Sequence, residues 1–332
     1  MNTTAMDTRN GAALAERMAF AEAANQAAAM STLAKYRAGK AQNTLRRQDA
    51  ELATFGAYVN ADALGTSPGA WQGVTWGIVE SFTTKLLHDG YAIGTVNNHV
   101  STVKTYAKLA AKAGAIKPEE LAMIRMVSGY GHREGQRVDE KRREAGMDTR
   151  IGNKKTGFCV LSEEQESSLV NQCGGFPQGL RDRAMLVLLL DLGLRVSEAA
   201  DLQARHFDAD SGKLTVYRAK TDTTTTFELR NAKAAAMRAY IEAAQPTGQL
   251  LVGSRKGGAL MGNMSTRAIR ARVRALGKAA DVPNLAPHDL RHTRATVLAS
   301  SRNVRELMDF FGWNSPAMAA RYIESVRTIA VE

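Results

Sequence analysis

Large apolar residues become sparse between Ser128 and Phe158, while basic residues accumulate there. A segment without such side chains cannot form a packed core, so it predicts an exposed basic linker between two domains. The length of 332 residues also suits two domains. We expect an extension over 1–37, a helical domain over 38–130, a linker over 131–158 and a second domain over 159–332. The basic residues of this linker are Arg133, Arg137, Lys141, Arg142, Arg143, Arg150, Lys154 and Lys155.

The first third of the chain has helical patterning. Residues 1–37 are rich in alanine, which favours helix but offers few large side chains to bury, so we expect a short or frayed leading helix. Over 41–126 the apolar residues recur at helical spacing, which predicts a compact bundle of about four helices. Thr44 is placed to cap one of these helices, and Thr95 stands at the start of another.

The second domain reads as mainly α with a small β-hairpin. Arg181 to Leu192 is apolar on nearly every side and predicts a central core helix that ends at Gly193, after which Ser197 can cap the next helix. Residues 213–229 change to an alternating pattern, which predicts one short sheet, a hairpin turning near 220–223. Further helix starts are expected at Ser162, with Gln165 completing a capping box, and near Ala232, Ser265, Pro287, Asn303 and Ser315.

Charge and cysteine content narrow the class of protein. The 44 basic and 33 acidic residues give a net charge of +11, which favours a polyanionic partner. Only Cys159 and Cys173 are present, so a disulfide scaffold or a four-cysteine zinc site is excluded and a reducing compartment fits. We expect neither a signal peptide nor a membrane-spanning helix, and a cytoplasmic location.

Several basic residues are candidates for contact with a nucleic acid. Arg267, Arg270 and Arg274 share one face of the helix that begins near Ser265, opposite an apolar stripe. Guanidinium groups on such a face can bind phosphate and guanine edges in a major groove, although a solvated charged face has the same pattern. Four further candidates for DNA contact are Arg47, Lys104, Arg142 and Arg143. For the linker residues Arg142 and Arg143 the alternative is a solvated tether without a ligand.

Other residues carry possible phosphate chemistry. His288 and Arg291 lie three apart near a helix start and could reach one phosphate, although a structural histidine is the alternative. Arg195 precedes a helix N-terminus, where Glu198 could hold it, or the two could form only a surface ion pair. Tyr322 becomes a useful nucleophile only if cations stabilise its oxyanion and the phosphate that it attacks.

In order along the chain, these residues resemble the active-site series of the tyrosine recombinases, the phage integrase family. The series is Gly193-Leu194-Arg195-Val196-Ser197-Glu198, Lys220 in the hairpin, His288-x-x-Arg291, Gly312-Trp313 and Tyr322. The likeness covers most of the chain and is greatest to simple two-domain recombinases of the Cre type. It implies an N-terminal helical core-binding bundle and a C-terminal mixed α/β catalytic domain.

The resemblance implies a reaction in which Tyr322 attacks a DNA phosphodiester, leaving a 3′-phosphotyrosyl link and a free 5′-hydroxyl. Arg195 and Arg291 would bind the non-bridging oxygens, and Lys220 would protonate the leaving oxygen. His288 would assist proton transfer at the tyrosine or at the phosphate, the Trp313 indole N–H would contact the phosphate, and Glu198 would orient the basic groups. It implies no metal or other cofactor. The expected partner is double-stranded DNA with a specific site, bound by a DNA-dependent homotetramer, with accessory proteins possible, in a bacterial, archaeal or phage context.

Two departures from the family pattern stand out. The hairpin turn continues from Lys220 into Asp222 and a threonine run, where many members have a second basic residue, and only ten residues follow Tyr322. Three other functions remain as alternatives. A type IB topoisomerase-like enzyme would relax supercoils without a specific site, a DNA-binding regulator would not cut, and a metal-dependent nuclease would be inhibited by EDTA.

Overall fold

The chain folds into two compact units, Met1–Asn153 (unit 1) and Lys154–Glu332 (unit 2). The structure is a computed structural model that describes residues 3–151, 157–255 and 258–326, with side chains from residue 14 onward. Lys154 and Lys155, predicted as linker residues, lie outside the described residues, as does the end of the chain after Val326. No helix within the described part is long and apolar enough to cross a membrane.

Unit 1 is built from helices and contains no strand among its described residues. Its helices are α1 (Thr3–Ala38), α2 (Gln42–Val59), α3 (Trp76–His88), α4 (Ile93–Lys112), α5 (Pro118–Met126) and α6 (His132–Glu144). The expected bundle of about four helices is confirmed by α2 to α5. Its core contains Phe55, whose ring centroid lies 5.0 Å from Phe82 and 5.8 Å from Trp71. Both predicted threonine starts are wrong, because the cap positions of α2 and α4 are Ala41 and Ala92, three residues before Thr44 and Thr95.

The leading segment is one helix of 36 residues, so the expectation of a short or frayed helix is wrong. Alanine favours helix at almost every position, and the few large residues near the end of α1 are enough to anchor it. Leu33 is buried, Tyr36 packs edge-on against Tyr106 at 5.5 Å, and Arg37 pairs with Asp49 at 2.5 Å. These contacts fix the C-terminal end of α1 to the bundle.

The expected exposed linker is also corrected, because residues 132–144 form helix α6 and pack within unit 1. Arg142 is only 6% exposed. Its guanidinium donates hydrogen bonds to the backbone oxygens of Leu87 at 2.7 Å, Tyr91 at 3.1 Å and Asp148 at 2.6 Å. The helix was missed because its apolar surface is small, and its packing depends on this buried arginine.

Unit 2 is mainly helical and contains two small antiparallel sheets among its described residues. The first sheet has the order β1-β2-β3, and its β2–β3 pair is the predicted hairpin, with Leu214 opposite Phe227 and Arg218 opposite Thr223. The strands are β1 (Phe207–Asp208), β2 (Lys213–Arg218), β3 (Thr223–Glu228), β4 (Val252–Ser254) and β5 (Leu260–Asn263). The expectation of one sheet was wrong because β4 and β5 are too short to show an alternating pattern.

The helices of unit 2 surround a core built on one apolar run. They are α7 (Glu163–Asn171), α8 (Pro177–Leu186), α9 (Val196–Asp201), α10 (Asn231–Ala244), α11 (Thr266–Ala279), α12 (Pro287–Ala299), α13 (Val304–Phe311) and α14 (Pro316–Val326). The predicted core helix is α8, which continues as a π-helical turn over Val187–Asp191 before Gly193. Every residue from Ala184 to Leu190 is buried, as its pattern predicted.

Helix starts in unit 2 follow the predicted caps with one exception. Ser162, Ser265 and Asn303 each accept a hydrogen bond from a backbone N–H of the first helical turn, as predicted. Ser197 does not cap α9, which already begins at Val196. The Glu198 carboxylate accepts the Arg195 backbone N–H instead, at 2.8 Å. This contact brings the first two candidate active-site residues together.

Candidate active site

Arg195 is held at the start of α9 by Glu198. The Glu198 side chain is buried and accepts hydrogen bonds from both the backbone N–H and the Nη1 of Arg195, at 2.8 and 2.6 Å. A carboxylate held twice by the same residue fixes the direction of its guanidinium group. The alternative of a weak surface ion pair is therefore wrong, because Glu198 is an interior residue.

Arg218, which the sequence analysis did not select, is the second partner of Glu198. Its side chain is fully buried at the end of β2, and burial lowers the pKa of its guanidinium group. It donates to Glu198 Oε2 at 3.2 Å and to the backbone oxygens of Phe310 and Phe311 at 2.8 and 3.0 Å. Alternation along β2 gave a signal for it, because Leu214, Val216 and residue 218 all point inward.

Arg291 lies on α12, 4% exposed, and is held by backbone oxygens. Its two terminal nitrogens donate to Gly193 O at 2.6 Å and to Phe311 O at 3.0 Å. Burial first, and then the nearby charge of Arg195, lowers the pKa of Arg291 to about 9, so it keeps its charge at neutral pH. A bound anion would compensate for this crowding of positive charge.

Arg195, His288 and Arg291 line one cavity of about 420 Å³, together with Arg270 and Arg274 of α11. His288 lies on the first turn of α12, where partial burial of the ring and then the charge of Arg291 lower its pKa. Neutral histidine and several guanidinium groups around one cavity form a site suited to a phosphate group.

Lys220 lies exposed in the turn between β2 and β3. It lines a second cavity, of about 210 Å³, whose other wall includes Arg195 and Glu198. The structure thus places Lys220 on the same side of unit 2 as Arg195, although among the described contacts its ammonium group makes no recorded hydrogen bond.

Tyr322 lies on α14 within an aromatic cluster. Its side chain is 7% exposed and stacks on Trp313, with ring centroids 5.4 Å apart and planes within 5°. Trp313 in turn stacks on Phe311 at 4.6 Å, and the guanidinium carbon of Arg291 lies 5.7 Å from the Trp313 ring. Burial raises the pKa of Tyr322, so the phenol is protonated at neutral pH.

His292 is a second residue that the sequence analysis did not select. Its Nδ1 lies 2.5 Å from Tyr322 Oη in a hydrogen bond. Its ring stacks on Phe158 at 4.1 Å and meets the edge of His288 at 4.4 Å. Burial, followed by the effect of His288, lowers the pKa of His292 to about 4, which keeps the ring neutral. A sequence signal existed, because positions 288 and 292 are one helical turn apart.

Three arginines of helix α11 are exposed, and a fourth, Arg272, packs toward the interior of unit 2. Ile269, Val273 and Leu276 are buried, and Arg272 pairs with the fully buried Asp182 at 2.5 Å. These contacts fix the rotation of α11 about its axis. As a result the predicted DNA contacts are all exposed: Arg267, Arg270 and Arg274.

The candidate DNA contacts of unit 1 are in different environments. Arg47 is 46% exposed and pairs with Glu51, and Arg143 is exposed on α6. The Lys104 ammonium group donates to the backbone oxygens of Arg125 and Val127, both at 2.7 Å, beside an open cavity of about 360 Å³. The expectation that Arg142 contacts DNA is corrected, because its guanidinium group is enclosed by backbone oxygens.

Comparison with known proteins points to one family. The model of the phage integrase family matches residues 159–328. Tyrosine recombinase XerC of Xanthomonas campestris pv. campestris (strain B100) is 33% identical over 166 residues, covering 49% of this chain and 50% of the relative. Tyrosine recombinase XerC of Rhodospirillum centenum is 26% identical over 296 residues, covering 86% and 78%. The chain thus spans about half the length of the Xanthomonas relatives that it matches.

Solved structures show the same fold. The Tn1549 transposon integrase in complex with transposon right end DNA has a TM-score of 0.63 at 16% identity, covering 89% of this chain and 94% of that one. A lambda integrase tetramer bound to a Holliday junction has a TM-score of 0.58 at 14% identity, covering 92% and 79%. Since the family model covers just over half of the chain, this protein belongs to the phage integrase family.

Proposed function

We propose that this protein is a site-specific DNA recombinase that cuts and rejoins duplex DNA through a 3′-phosphotyrosyl intermediate, with Tyr322 as the nucleophile. The observation that carries the proposal is the aromatic contact that joins Tyr322 to the cationic site: both Tyr322 and Arg291 lie against Trp313. A phenol next to buried guanidinium groups is placed to attack a phosphate that those groups bind.

In this proposal Arg195 and Arg291 bind the non-bridging oxygens of the phosphate. Both guanidinium groups are held before DNA arrives, Arg195 by Glu198 and Arg291 by two backbone oxygens. Donors fixed in this way stabilise developing charge without having to reorganise during the reaction. Glu198 thus acts through the orientation of Arg195 and Arg218.

Proton transfer to the leaving oxygen is assigned to Lys220. Its place in an exposed turn, at the rim of a cavity that it shares with Arg195, suits a group that reaches a bound phosphodiester. His288 lines the phosphate cavity and assists there, and Trp313 supports the nucleophile by stacking. Donation of the Trp313 indole N–H to the phosphate remains part of the proposal.

The partner in this proposal is double-stranded DNA, read by the exposed arginines of α11. Arg270 and Arg274 line the cavity of Arg291, so DNA bound along α11 would bring its backbone to the proposed reaction centre. The similarity to integrases described with DNA, including one tetramer on a Holliday junction, supports a DNA-dependent homotetramer. Arg267 of unit 2 is a further proposed contact, and Arg47, Lys104 and Arg143 are separate proposed contacts of unit 1.

A covalent trapping experiment tests the proposal. The protein is incubated with a library of nicked duplexes of randomised sequence, and adducts stable to SDS are recovered, sequenced and mapped by mass spectrometry. We expect the wild type to form an adduct through the peptide that contains Tyr322, in EDTA as in its absence. Tyr322→Phe should still shift DNA in a gel but form no adduct.

Tyr58→Phe, in the bundle of unit 1, is the matched control and should form the adduct normally. An adduct with Tyr322→Phe would show that the nucleophile is wrong, and no adduct with the wild type would favour a regulator that does not cut. Relaxation of supercoiled plasmids that lack the recovered site would indicate the topoisomerase-like alternative.

A further inference from the structure

The hydroxyl of Tyr322 already has a neighbour that can take its proton. Among the described residues its recorded hydrogen-bond partner is His292 Nδ1, at 2.5 Å. Building on the proposed function, we propose that His292 is a catalytic residue whose Nδ1 accepts the Tyr322 proton as the phenol attacks the phosphate.

The fold fixes the His292 ring in this position from three sides. Helix α12 presents it one turn after His288, whose ring meets it edge-on at 4.4 Å. Phe158 covers one face of the ring, with centroids 4.1 Å apart and planes within 10°. Tyr322 approaches from α14, with ring centroids 5.5 Å apart. These contacts restrict the ring and direct Nδ1 at the phenol oxygen.

His288 and His292 therefore have separate roles in the proposed reaction. His288 lines the cavity with Arg195 and Arg291, on the side where the phosphate is proposed to bind. His292 is absent from that cavity lining and instead contacts the nucleophile. Assistance at the phosphate thus belongs to His288, and deprotonation of the tyrosine belongs to His292.

The protonation states fit an acceptor role. Burial raises the pKa of Tyr322, so its proton must be transferred during attack. Burial and His288 lower the pKa of His292, with Arg291 and Arg321 acting in the same direction and Asp289 opposing them. The ring is therefore neutral and has a free lone pair at Nδ1 when its proton is on Nε2. An incoming phosphodiester adds negative charge, which favours the imidazolium form.

Cleavage of the DNA strand transfers two protons. The Tyr322 Oη–H bond breaks and the proton moves to His292 Nδ1, while the oxygen lone pair forms the new bond to phosphorus. The bond between phosphorus and the 5′-oxygen breaks, and its electron pair leaves with that oxygen, which takes a proton from Lys220. In the rejoining step the 5′-hydroxyl gives its proton to the neutral Lys220 amine as its oxygen attacks phosphorus. The bond between phosphorus and Tyr322 Oη breaks, its electron pair leaves with Oη, and that oxygen takes its proton back from His292.

Substitution of the leaving atom separates the two proton transfers. The probe is a duplex of the site recovered from covalent adducts, made once with the ordinary phosphodiester and once with sulfur in place of the bridging 5′-oxygen. Sulfur leaves without needing a proton, so it replaces the acid but not the acceptor. His292→Asn keeps an oxygen that can accept the phenol hydrogen bond but cannot hold its proton near neutral pH.

We expect His292→Asn to slow single-turnover adduct formation by at least about 100-fold on both duplexes. Lys220→Ala should be slow on the ordinary duplex and regain most of its rate on the sulfur duplex. His88→Asn, a histidine exposed at the end of α3, should react at the wild-type rate on both. All variants, with His292→Gln as a second test, are measured with the DNA fully bound, so weaker binding does not lower the rate.

A rate for His292→Asn within about 3-fold of the wild type would overturn the assignment of His292, as would recovery on the sulfur duplex. Either result leaves the proposed function intact if Tyr322→Phe forms no adduct. An adduct with Tyr322→Phe would instead overturn the proposed function itself.

Discussion

Arg218 joins three elements of unit 2 through a single side chain. It is fully buried, and its hydrogen bonds reach Glu198 on α9 and two backbone oxygens at the end of α13. The cost of burying this charge is offset only because each bond has a polar partner. Removing the side chain would leave Glu198 and the Phe310 oxygen without this donor in a region that excludes water.

We predict that Arg218→Ala lowers the free energy of unfolding by about 3–5 kcal/mol, because it breaks a buried ion pair and leaves its partners unsatisfied. Urea unfolding measures the difference. Arg230→Ala is the matched control, since Arg230 is 73% exposed and its pair with Glu228 should contribute little to stability. Equal losses in the two variants would contradict the structural role of Arg218.

At the scale of single residues, the sequence predicted the site best where the chemistry of a residue and its order along the chain indicated the same role. Arg195, His288 and Arg291 were selected by residue type and position, and the structure places all three around one cavity. Arg218 and His292 were missed because each sits next to a more obvious candidate. The contacts of Arg218 with Glu198 and of His292 with Tyr322 could not be predicted from spacing alone, because each joins residues from distant parts of the chain.

At the scale of elements, the end of α13 is set by a close approach between backbone and side chain. Gly312 has a φ of 59°, in the left-handed region, and ends the helix. A Cβ at this position would overlap the Cδ and Nε of Arg218. Glycine is required here for two separate reasons, backbone conformation and lack of space.

Gly312→Ala should lower the free energy of unfolding by about 3 kcal/mol, from the left-handed backbone and from displacement of Arg218. Gly262→Ala provides the control, because Gly262 has a similar φ of 65° with nothing within 4 Å of the added Cβ. That variant should lose only about 1 kcal/mol. Thermal unfolding compares the two, and a loss at Gly312 no larger than at Gly262 would show that Arg218 moves freely.

Helix boundaries were predictable where a side chain makes the cap. Ser162, Ser265 and Asn303 each accept a backbone N–H, and all three were identified in advance. Thr44 and Ser197 failed because neighbouring backbone reaches the helical conformation earlier, and capping residues are common within first turns. Packing of α6 against unit 1 depends on long-range contacts of Arg142, for which local pattern gives no signal.

At the scale of the whole molecule, the net charge of +11 is unevenly distributed. Thirteen basic and 10 acidic residues precede position 131, whereas 31 and 23 follow it. Part of the later excess is concentrated at one cavity of unit 2, which collects Arg270 and Arg274 with the buried Arg291. Concentrated charge of this kind releases counterions when DNA binds.

We predict that replacing Arg270 and Arg274 together by alanine reduces the slope of log affinity against log salt by about 2, as expected for the loss of two phosphate contacts. Binding of a mixed-sequence duplex over a range of salt concentrations measures the slope. Arg302→Ala with Arg305→Ala makes the same change in net charge at two exposed residues away from this cavity. If both double variants lose the same slope, net charge alone explains the effect.

The scarcity of large apolar residues after Ser128 predicted that the chain has two parts, but it did not predict where the first part ends. The structure places the boundary between Asn153 and Lys154, near the end of the segment expected to be linker. The difference arises because α6 packs through glycine and a buried arginine instead of an apolar stripe, so composition makes it look like solvent-exposed chain.

One main-chain atom accepts hydrogen bonds from two buried cations: Phe311 O is bound by Arg218 at 3.0 Å and by Arg291 at 3.0 Å. Because the acceptor is a main-chain oxygen, both bonds depend on the position of the backbone at the end of α13 and not on the chemistry of the side chain at position 311. This shared oxygen holds the guanidinium groups of Arg218 and Arg291 close to each other. The end of α13 therefore positions both cations through a single backbone oxygen.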